Sequence, residues 1–238
     1  MHRLTRYLMV AVTSVLVVIG AVGVALYGYA RYVGRRATQC FAAVQGLQLG
    51  KATTTEIRTA LRPYTQSGDI ERSCNESRCL SAIDYSFSDI SLSSYRYPFR
   101  WTYLEIRIFT DERGILIGKS VTEKQENPDS PHPHAARTTE MIGKGDGMPF
   151  FQASERFEGY EVIPMWTMCD PHGCPSGVPV LSRMYVSLDS RATESDRRRA
   201  YAFNLDCFYS LHPCDNPRKI LNPAGLDEAL QRLQIRSE

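Results

Sequence analysis

Residues 7–30 read YLMVAVTSVLVVIGAVGVALYGYA, which is 24 consecutive residues without a charged side chain. At about 1.5 Å per residue an α-helix of this length is roughly 36 Å long, and the hydrocarbon core of a bilayer is about 30 Å thick. Lipid obliges such a segment to be helical, because it offers no partner to an open backbone N–H. The stretch therefore predicts a transmembrane helix over 7–30, behind a short N-terminal tail over 1–6.

Two other kinds of segment share features of this stretch. A cleavable secretory signal shares the basic start, and Gly28-Tyr29-Ala30 has small residues at the spacing that signal peptidase requires. The apolar part of such a signal is about 7–15 residues long, which is shorter than this run. A buried core helix rarely runs this far without a charge. We therefore expect a single-pass signal-anchor in a cell membrane.

Charge alone leaves the orientation of the anchor open. Two arginines precede the stretch and three follow it, a bias that leans slightly towards a cytoplasmic domain. The remaining 202 residues hold 23 of the 28 basic groups against all 26 acidic groups, so the soluble part carries a formal charge of −3. A mildly acidic domain disfavours binding to phosphate backbones, and we expect no nucleic-acid partner.

The cysteines indicate an oxidising compartment. Six of the seven form three closely spaced pairs, and the seventh, Cys40, stands alone. Behind an export-type segment such pairs predict local disulfides and an extracytoplasmic domain, although other connectivities are open. The candidate pairs are Cys74 with Cys79, Cys169 with Cys174, and Cys207 with Cys214. For Cys40 we expect a buried thiol, with an intermolecular disulfide as the alternative.

Two chemical alternatives use the same cysteines. In a cytosolic domain, Cys74, Cys79, Cys169 and Cys174 would supply four thiolates to a structural zinc ion. In the second alternative, the chain would be a membrane-tethered thiol oxidoreductase with its centre at Cys169, His172 and Cys174. The order Cys-Asp-Pro-His-Gly-Cys-Pro is more typical of a hairpin tip than of the C-x-x-C helix start of thiol exchangers. We therefore expect neither a metal nor a cofactor.

The part of the chain after the anchor, 37–238, is expected to form one α+β domain. Its predicted fold is a mainly antiparallel sheet of about five strands in two clear hairpins, with helices on one face. The hairpins are Trp101–Thr110 with 115–121 and Tyr160–Met168 with 178–188, and a polar, Pro/Gly-rich stretch predicts a long loop at 125–149. Helices are expected at 40–49, 53–61, 194–204 and 223–233, with Arg197, Arg198 and Arg199 on a solvated face.

Residues 40–125 resemble a module of a known protein family. The order Leu49-Gly50, a threonine-rich helix start, Glu56-Ile57 and the later hairpin FTDERGILIGKSV is similar to the small helix–helix–sheet module of BamE/SmpA-type envelope proteins. Lys51 and Ala52 depart from the pattern of that family, and the lipid-modified cysteine is missing. More broadly, the chain resembles single-pass membrane-anchored proteins of bacteria. The resemblance implies a protein-binding scaffold in the cell envelope.

The sequence contains no GxSxG, HExxH, phosphate-binding glycine loop or dinucleotide fingerprint. We therefore expect no enzymatic activity and assign no catalytic residue. The expected function is a protein-binding or scaffold module in the envelope. Its expected partners are the lipid bilayer, through the N-terminal helix, and another envelope protein.

Overall fold

The structure, a computed structural model, describes residues 2–67, 70–74, 79–92, 99–126, 134–142, 160–167, 180–208, 214, 216–223 and 225–235. These residues form an α+β fold, as predicted, built around one mixed sheet. The sheet has seven strands where the sequence predicted about five.

Helix α1, His2–Gln45, joins the apolar stretch to the domain without a break. In the part of the chain that the structure describes, it is the one helix that is long and apolar enough to cross a membrane, and it fits a transmembrane or signal-anchor segment. The predicted tail over 1–6 is helical from residue 2 onwards. Past the apolar stretch the same helix buries one face, formed by Val33, Ala37, Cys40, Phe41 and Val44. The helix that carries the apolar stretch is therefore also the first helix of the core.

Helix α2, Thr54–Leu61, begins where the sequence predicts a helix start. Thr53 is the N-cap: its hydroxyl accepts the backbone N–H of Glu56, and the Glu56 carboxylate accepts the backbone N–H of Thr53. This reciprocal pair satisfies two N–H groups that would otherwise lack partners at a helix start. Ile57 and Leu61 are buried in the core.

The sheet has the order β1-β2-β3-β4-β5-β7-β6, and every neighbouring pair is antiparallel except β5 with β7. Its mainly antiparallel character matches the prediction. The seven strands are β1 Glu71–Cys74, β2 Cys79–Leu92, β3 Phe99–Thr110, β4 Leu116–Glu126, β5 His134–Met141, β6 Tyr160–Thr167 and β7 Val180–Leu188.

Strands β3 and β4 form the first predicted hairpin. Gly114 in its turn has φ +73°, and a Cβ at this position would lie 2.6 Å from Thr54 Oγ1, so the turn requires glycine. Leu104, Ile106 and Ile108 alternate along β3 and are fully buried on the face that the helices cover. The second predicted hairpin is also present, as the antiparallel pair β6 and β7.

The predicted loop at 125–149 contains a strand, and this part of the sequence prediction was wrong. Strand β5 lies between β4 and β7 inside the sheet. Its sequence HAARTTEM shows neither apolar alternation nor aromatic residues. Strand preference depends mainly on packing against neighbouring strands. Pairing with β4 on one side and with β7, which is distant in sequence, on the other therefore makes this segment a strand.

The C-terminal helices differ from the predicted ones in their bounds. Helix α3, Glu194–Ala200, ends four residues early, because Tyr201 leaves helical geometry at φ −101°, ψ 13°. Proline at a helix start is found at Pro217 in helix α4, Pro217–Ile220, and helix α5 covers Leu226–Ile235. Buried residues of α1 to α5 join one core cluster with the sheet.

Candidate functional site

The candidate site begins with two charged side chains on adjacent strands. Lys119 of β4 and Glu140 of β5 are paired in the register, and Lys119 is also opposite the core residue Ile108 of β3. Lys119 Nζ lies 3.3 Å from Glu140 Oε2, and the two side chains are 7% and 5% exposed. Cβ atoms of paired residues are about 5 Å apart, which brings opposite charges into contact. The two residues therefore form a buried ion pair on the core face.

Helix α3 supplies a second cation. Arg197 Nε lies 2.8 Å from Glu140 Oε1, and Arg197 Nη2 donates a hydrogen bond of 3.4 Å to the backbone oxygen of Asp189. Thr193 and Asp196 fix the start of α3 by a capping box, one turn before Arg197. Glu140 is thus held between a strand lysine and a helix arginine.

The ammonium group of Lys119 is also fixed by two further contacts. It donates a hydrogen bond of 3.3 Å to the backbone oxygen of Leu47, and it lies 5.4 Å from the centroid of the Tyr201 ring. Burial, and then the negative charge of Glu140, raise the pKa of Tyr201 well above its usual value. The ring therefore stays neutral and attracts the ammonium group through its π face.

These side chains line an open cavity of about 600 Å³ beside the end of α1 and the start of α3, which we call the α1–α3 groove. Ligand sites in proteins have volumes of about 300–1,000 Å³. The charged cluster is combined here with apolar side chains, a mixture suited to a ligand with both characters. Besides Lys119, Glu140, Arg197 and Tyr201, the groove is lined by Gln45, Leu47, Gln48, Leu49, Ile142, Ser190, Glu194 and Arg198.

The charge balance of the α1–α3 groove favours an anionic ligand. Lys119 and Arg197 share the single carboxylate of Glu140, and the exposed pair Glu194 and Arg198 cancel each other. One positive charge therefore remains in excess. Removing charges from water is costly, and a well-packed apolar set often stabilises a fold at least as well. A buried charged cluster beside a cavity is thus better explained by binding than by stability.

A smaller cavity of about 270 Å³ lies on the opposite face of the sheet and also has basic residues. Arg107 there is bound by both carboxylate oxygens of Asp84, at 2.7 and 2.5 Å, and Arg137 donates a hydrogen bond of 3.0 Å to Ser120. Two of the basic groups of this cavity, those of Arg107 and Arg137, already bind residues of the sheet. The α1–α3 groove is therefore the stronger candidate.

The structure describes only some of the cysteines that the sequence analysis identified as disulfide candidates. Cys74 and Cys79 form a disulfide, with Sγ atoms 2.05 Å apart, as the local pairing predicts for them. Cys214 is also a disulfide cysteine, whereas the side chain of Cys207 lies outside the described residues. Cys40 is a buried free thiol, and burial raises its pKa to about 12.

The two chemical alternatives depend on residues that the structure does not describe. Cys169, His172 and Cys174 all lie outside the described residues, so the oxidoreductase centre stays a prediction. Cys74 and Cys79 are bonded to each other and offer no thiolates to the zinc set in this state. Within the described ranges, no three His, Cys, Asp or Glu side chains come together as metal ligands.

Sequence reasoning missed the residues of the groove. The sequence predicted Arg197, Arg198 and Arg199 on a solvated face. Arg198 and Arg199 are exposed, whereas Arg197 forms an ion pair with Glu140. Glu140 was not identified as a site residue, because it lies in the segment 125–149 that was predicted to be a loop. The sequence of β4 contains a signal for this site, because Lys119 and the other core-facing residues of the strand are largely polar. Such polarity is unusual in a strand that is paired on both sides.

The comparisons with known proteins give no relative from which a role for these residues follows. No protein-family model, curated protein or solved structure matches this chain. The function is therefore argued from the groove itself.

Proposed function

We propose that this chain is a single-pass membrane protein whose extracytoplasmic domain binds an acidic segment of another envelope protein in the α1–α3 groove. The observation that carries the proposal is the buried cluster of Lys119, Glu140 and Arg197, in which two cations share one carboxylate beside a cavity of about 600 Å³. A carboxylate of the partner would balance the excess positive charge. Charge-assisted hydrogen bonds of this kind are shorter and stronger than neutral ones.

The position of the groove supports a protein ligand over a lipid headgroup. The groove begins at Gln45, which is 15 residues beyond Ala30, the last residue of the apolar stretch. At about 1.5 Å per residue the continuous helix α1 spans roughly 22 Å between these points. A helix that crosses the bilayer along its normal would hold the groove beyond the headgroup layer, which supports a neighbouring protein as the ligand. The buried face of α1 from Val33 to Val44 holds the domain to the anchor.

The cysteines support the extracytoplasmic placement. A disulfide between Cys74 and Cys79, and a further one that includes Cys214, suit an oxidising compartment. The arginine flanks of α1 differ by a single residue and carry little weight against this.

Site-specific photocrosslinking in membranes tests the binding function. A photoreactive amino acid at Gln48, an exposed residue that lines the groove, is expected to give a discrete adduct with one envelope protein. The same group at Thr59, on the exposed side of α2, is the positional control. Equal adducts at both positions would refute a specific groove.

A matched pair of charge reversals tests whether the groove charge matters. Arg198 and Arg199 are adjacent and exposed, but Arg198 lines the groove and Arg199 does not. Arg198→Glu is expected to weaken the Gln48 adduct several-fold, and Arg199→Glu to leave it unchanged. The charge argument fails when the two variants behave alike.

The side of the membrane is tested separately. A cysteine introduced at Thr59, which is exposed on α2, is expected to react with a membrane-impermeant maleimide in intact spheroplasts. Labelling that requires lysis would place the domain in the cytoplasm. That result would remove the envelope partner while leaving the groove in place.

A further inference from the structure

A second group of buried polar side chains lies on the core face of the sheet, apart from the α1–α3 groove. Glu123 and Gln125 are two residues apart on β4, and Thr102 of β3 is the register partner of Gln125. Their exposed fractions are 0% for Thr102, 0% for Glu123 and 2% for Gln125. Glu123 is four residues from Lys119, which is roughly 13 Å along a strand. The two groups of residues are therefore separate.

Within the described part of the chain, these three side chains have polar atoms that lack a hydrogen-bond partner. Five such atoms lie here: Thr102 Oγ1, both carboxylate oxygens of Glu123, and the amide oxygen and nitrogen of Gln125. The buried ring nitrogen Nδ1 of His134, the register partner of Gln125, lies on the same face beside them. Buried polar atoms in proteins almost always have a partner, because an unpaired one has lost its hydrogen bonds to water without replacement. A group of five on adjacent residues indicates that something binds between them.

Among the described residues, no lysine or arginine lies at the register positions beside Glu123, and the titratable side chain that faces this cluster from β5 is that of His134, the register partner of Gln125. The register partners of Glu123 are Leu104 on β3 and Ala136 on β5, both uncharged. Lys119, on the same face of β4, is committed to Glu140. Burial raises the pKa of Glu123 well above its usual value, which reflects the same lack of a cation.

The side chains are close enough to share one small ligand. Paired residues such as Thr102 and Gln125 have Cβ atoms about 5 Å apart, and residues two apart on one strand are about 7 Å apart. Together they offer four oxygen atoms: two from a carboxylate, one from an amide and one from a hydroxyl. Oxygen atoms are the ligands of hard cations.

We infer that Thr102, Glu123 and Gln125 form an internal binding site for a monovalent inorganic cation, sodium or potassium. A single carboxylate cancels a single positive charge, so a monovalent cation leaves the buried site neutral. A divalent cation would leave a net positive charge in the core, which is costly. The bound cation joins β3 to β4 and satisfies the carboxylate and the oxygen atoms beside it.

Thermal unfolding of the full-length protein in detergent tests this site. The protein is dialysed into choline chloride and compared with sodium chloride and potassium chloride at equal ionic strength, which separates binding from screening. At a cation concentration about ten times the Kd, the Tm is expected to rise by roughly 3–6 °C for a domain of this size. An equal Tm in the three salts would overturn the proposal, and a response to calcium alone would overturn the monovalent assignment.

Variants identify the residues responsible for the response. Glu123→Gln is expected to abolish the dependence on sodium or potassium and to be no less stable than the wild type in choline. Glu105→Gln is the control, because Glu105 faces the other side of the sheet with a side chain that is 52% exposed, and its response should match the wild type. A Glu123→Gln protein that responds like the wild type would overturn the site.

A second variant keeps the proposal testable when Glu123→Gln does not fold. Thr102→Val conserves the shape of the side chain and leaves the carboxylate in place but removes one oxygen ligand. The cation concentration at half-maximal stabilisation is expected to rise about ten-fold, the equivalent of one lost ligand contact of roughly 1.4 kcal/mol. An unchanged midpoint in Thr102→Val would exclude this residue, and with it the proposed oxygen set.

Discussion

Replacing Glu140 with glutamine removes the one negative charge that Lys119 and Arg197 share. Breaking a buried ion pair by removing one partner costs about 3–5 kcal/mol, because the remaining charge is left uncompensated. The Lys119 side chain is only 7% exposed and remains mostly out of water, whereas the Arg197 side chain is 31% exposed and can turn outwards. We therefore expect a loss of about 3 kcal/mol, the lower end of that range.

Thermal unfolding followed by circular dichroism measures this loss. For a domain of about 200 residues each kcal/mol corresponds to roughly 2–4 °C, so Glu140→Gln is expected to lower the Tm by roughly 6–12 °C. Adding Lys119→Met to Glu140→Gln removes the uncompensated cation, and this double variant should regain at least half of the lost Tm. Glu194→Gln, at the exposed edge of the groove, should change the Tm by less than 2 °C, on the order of a surface substitution.

Two outcomes would refute the reasoning. A Glu140→Gln protein within 2 °C of the wild type would show that the charges are solvated, on the order of a surface pair. A double variant no more stable than Glu140→Gln alone would show that the loss comes from packing and not from the uncompensated Lys119. Either result would also remove the physical basis for anion binding in the α1–α3 groove.

Three further predictions concern other parts of the fold. Thr53→Ala removes the cap of α2 and should cost about 1 kcal/mol, measured as a fall in Tm of roughly 2–4 °C. Cys40, a fully buried thiol whose pKa is raised to about 12, should resist alkylation in the native protein and react after denaturation, as followed by peptide mass spectrometry. In choline buffer, stability should fall as the pH rises above about 4.5, because buried Glu123 keeps its proton when the unfolded chain has lost it. Glu123→Gln should lack this fall, which denaturant titrations at several pH values would detect.

Each of these predictions has a contradicting outcome. Thr55→Ala, at an exposed position in the first turn of α2, is the control for the cap, and an equal effect of the two substitutions would argue against capping. Rapid native labelling of Cys40 would show that α1 does not pack on the sheet. A pH profile that is the same in wild type and Glu123→Gln would mean that Glu123 is hydrated or paired.

The parts of the fold that sequence predicted well are those in which the signal is local. The cap of α2 is contained in the four residues Thr53 to Glu56, and the turn of the first hairpin in Asp111 to Gly114. The alternation of Leu104 with its neighbours on β3 is likewise a pattern within one strand. Local hydrogen bonds and side-chain periodicity fix these features before any distant contact is made.

The candidate site depends on contacts between residues distant in sequence. Arg197 meets Glu140 across 57 positions, and Lys119 donates to the Leu47 carbonyl across 72. The sequence around one residue of such a contact does not indicate that the other residue lies near it. Strand β5 was missed for the same reason, because its parallel pairing with β7 comes from a partner that follows it by about 50 residues.

The sequence by itself determined that this chain has one long apolar helix, a capped second helix and a hairpin-rich α+β domain, because each depends on composition or spacing within a short window. The tertiary structure alone decided that β5 lies inside the sheet and that Lys119, Glu140 and Arg197 meet beside a groove at the end of α1. Charged residues are predicted to be solvated until packing removes the water around them. Burial depends on the whole fold, and here it turns three ordinary surface residue types into the candidate site.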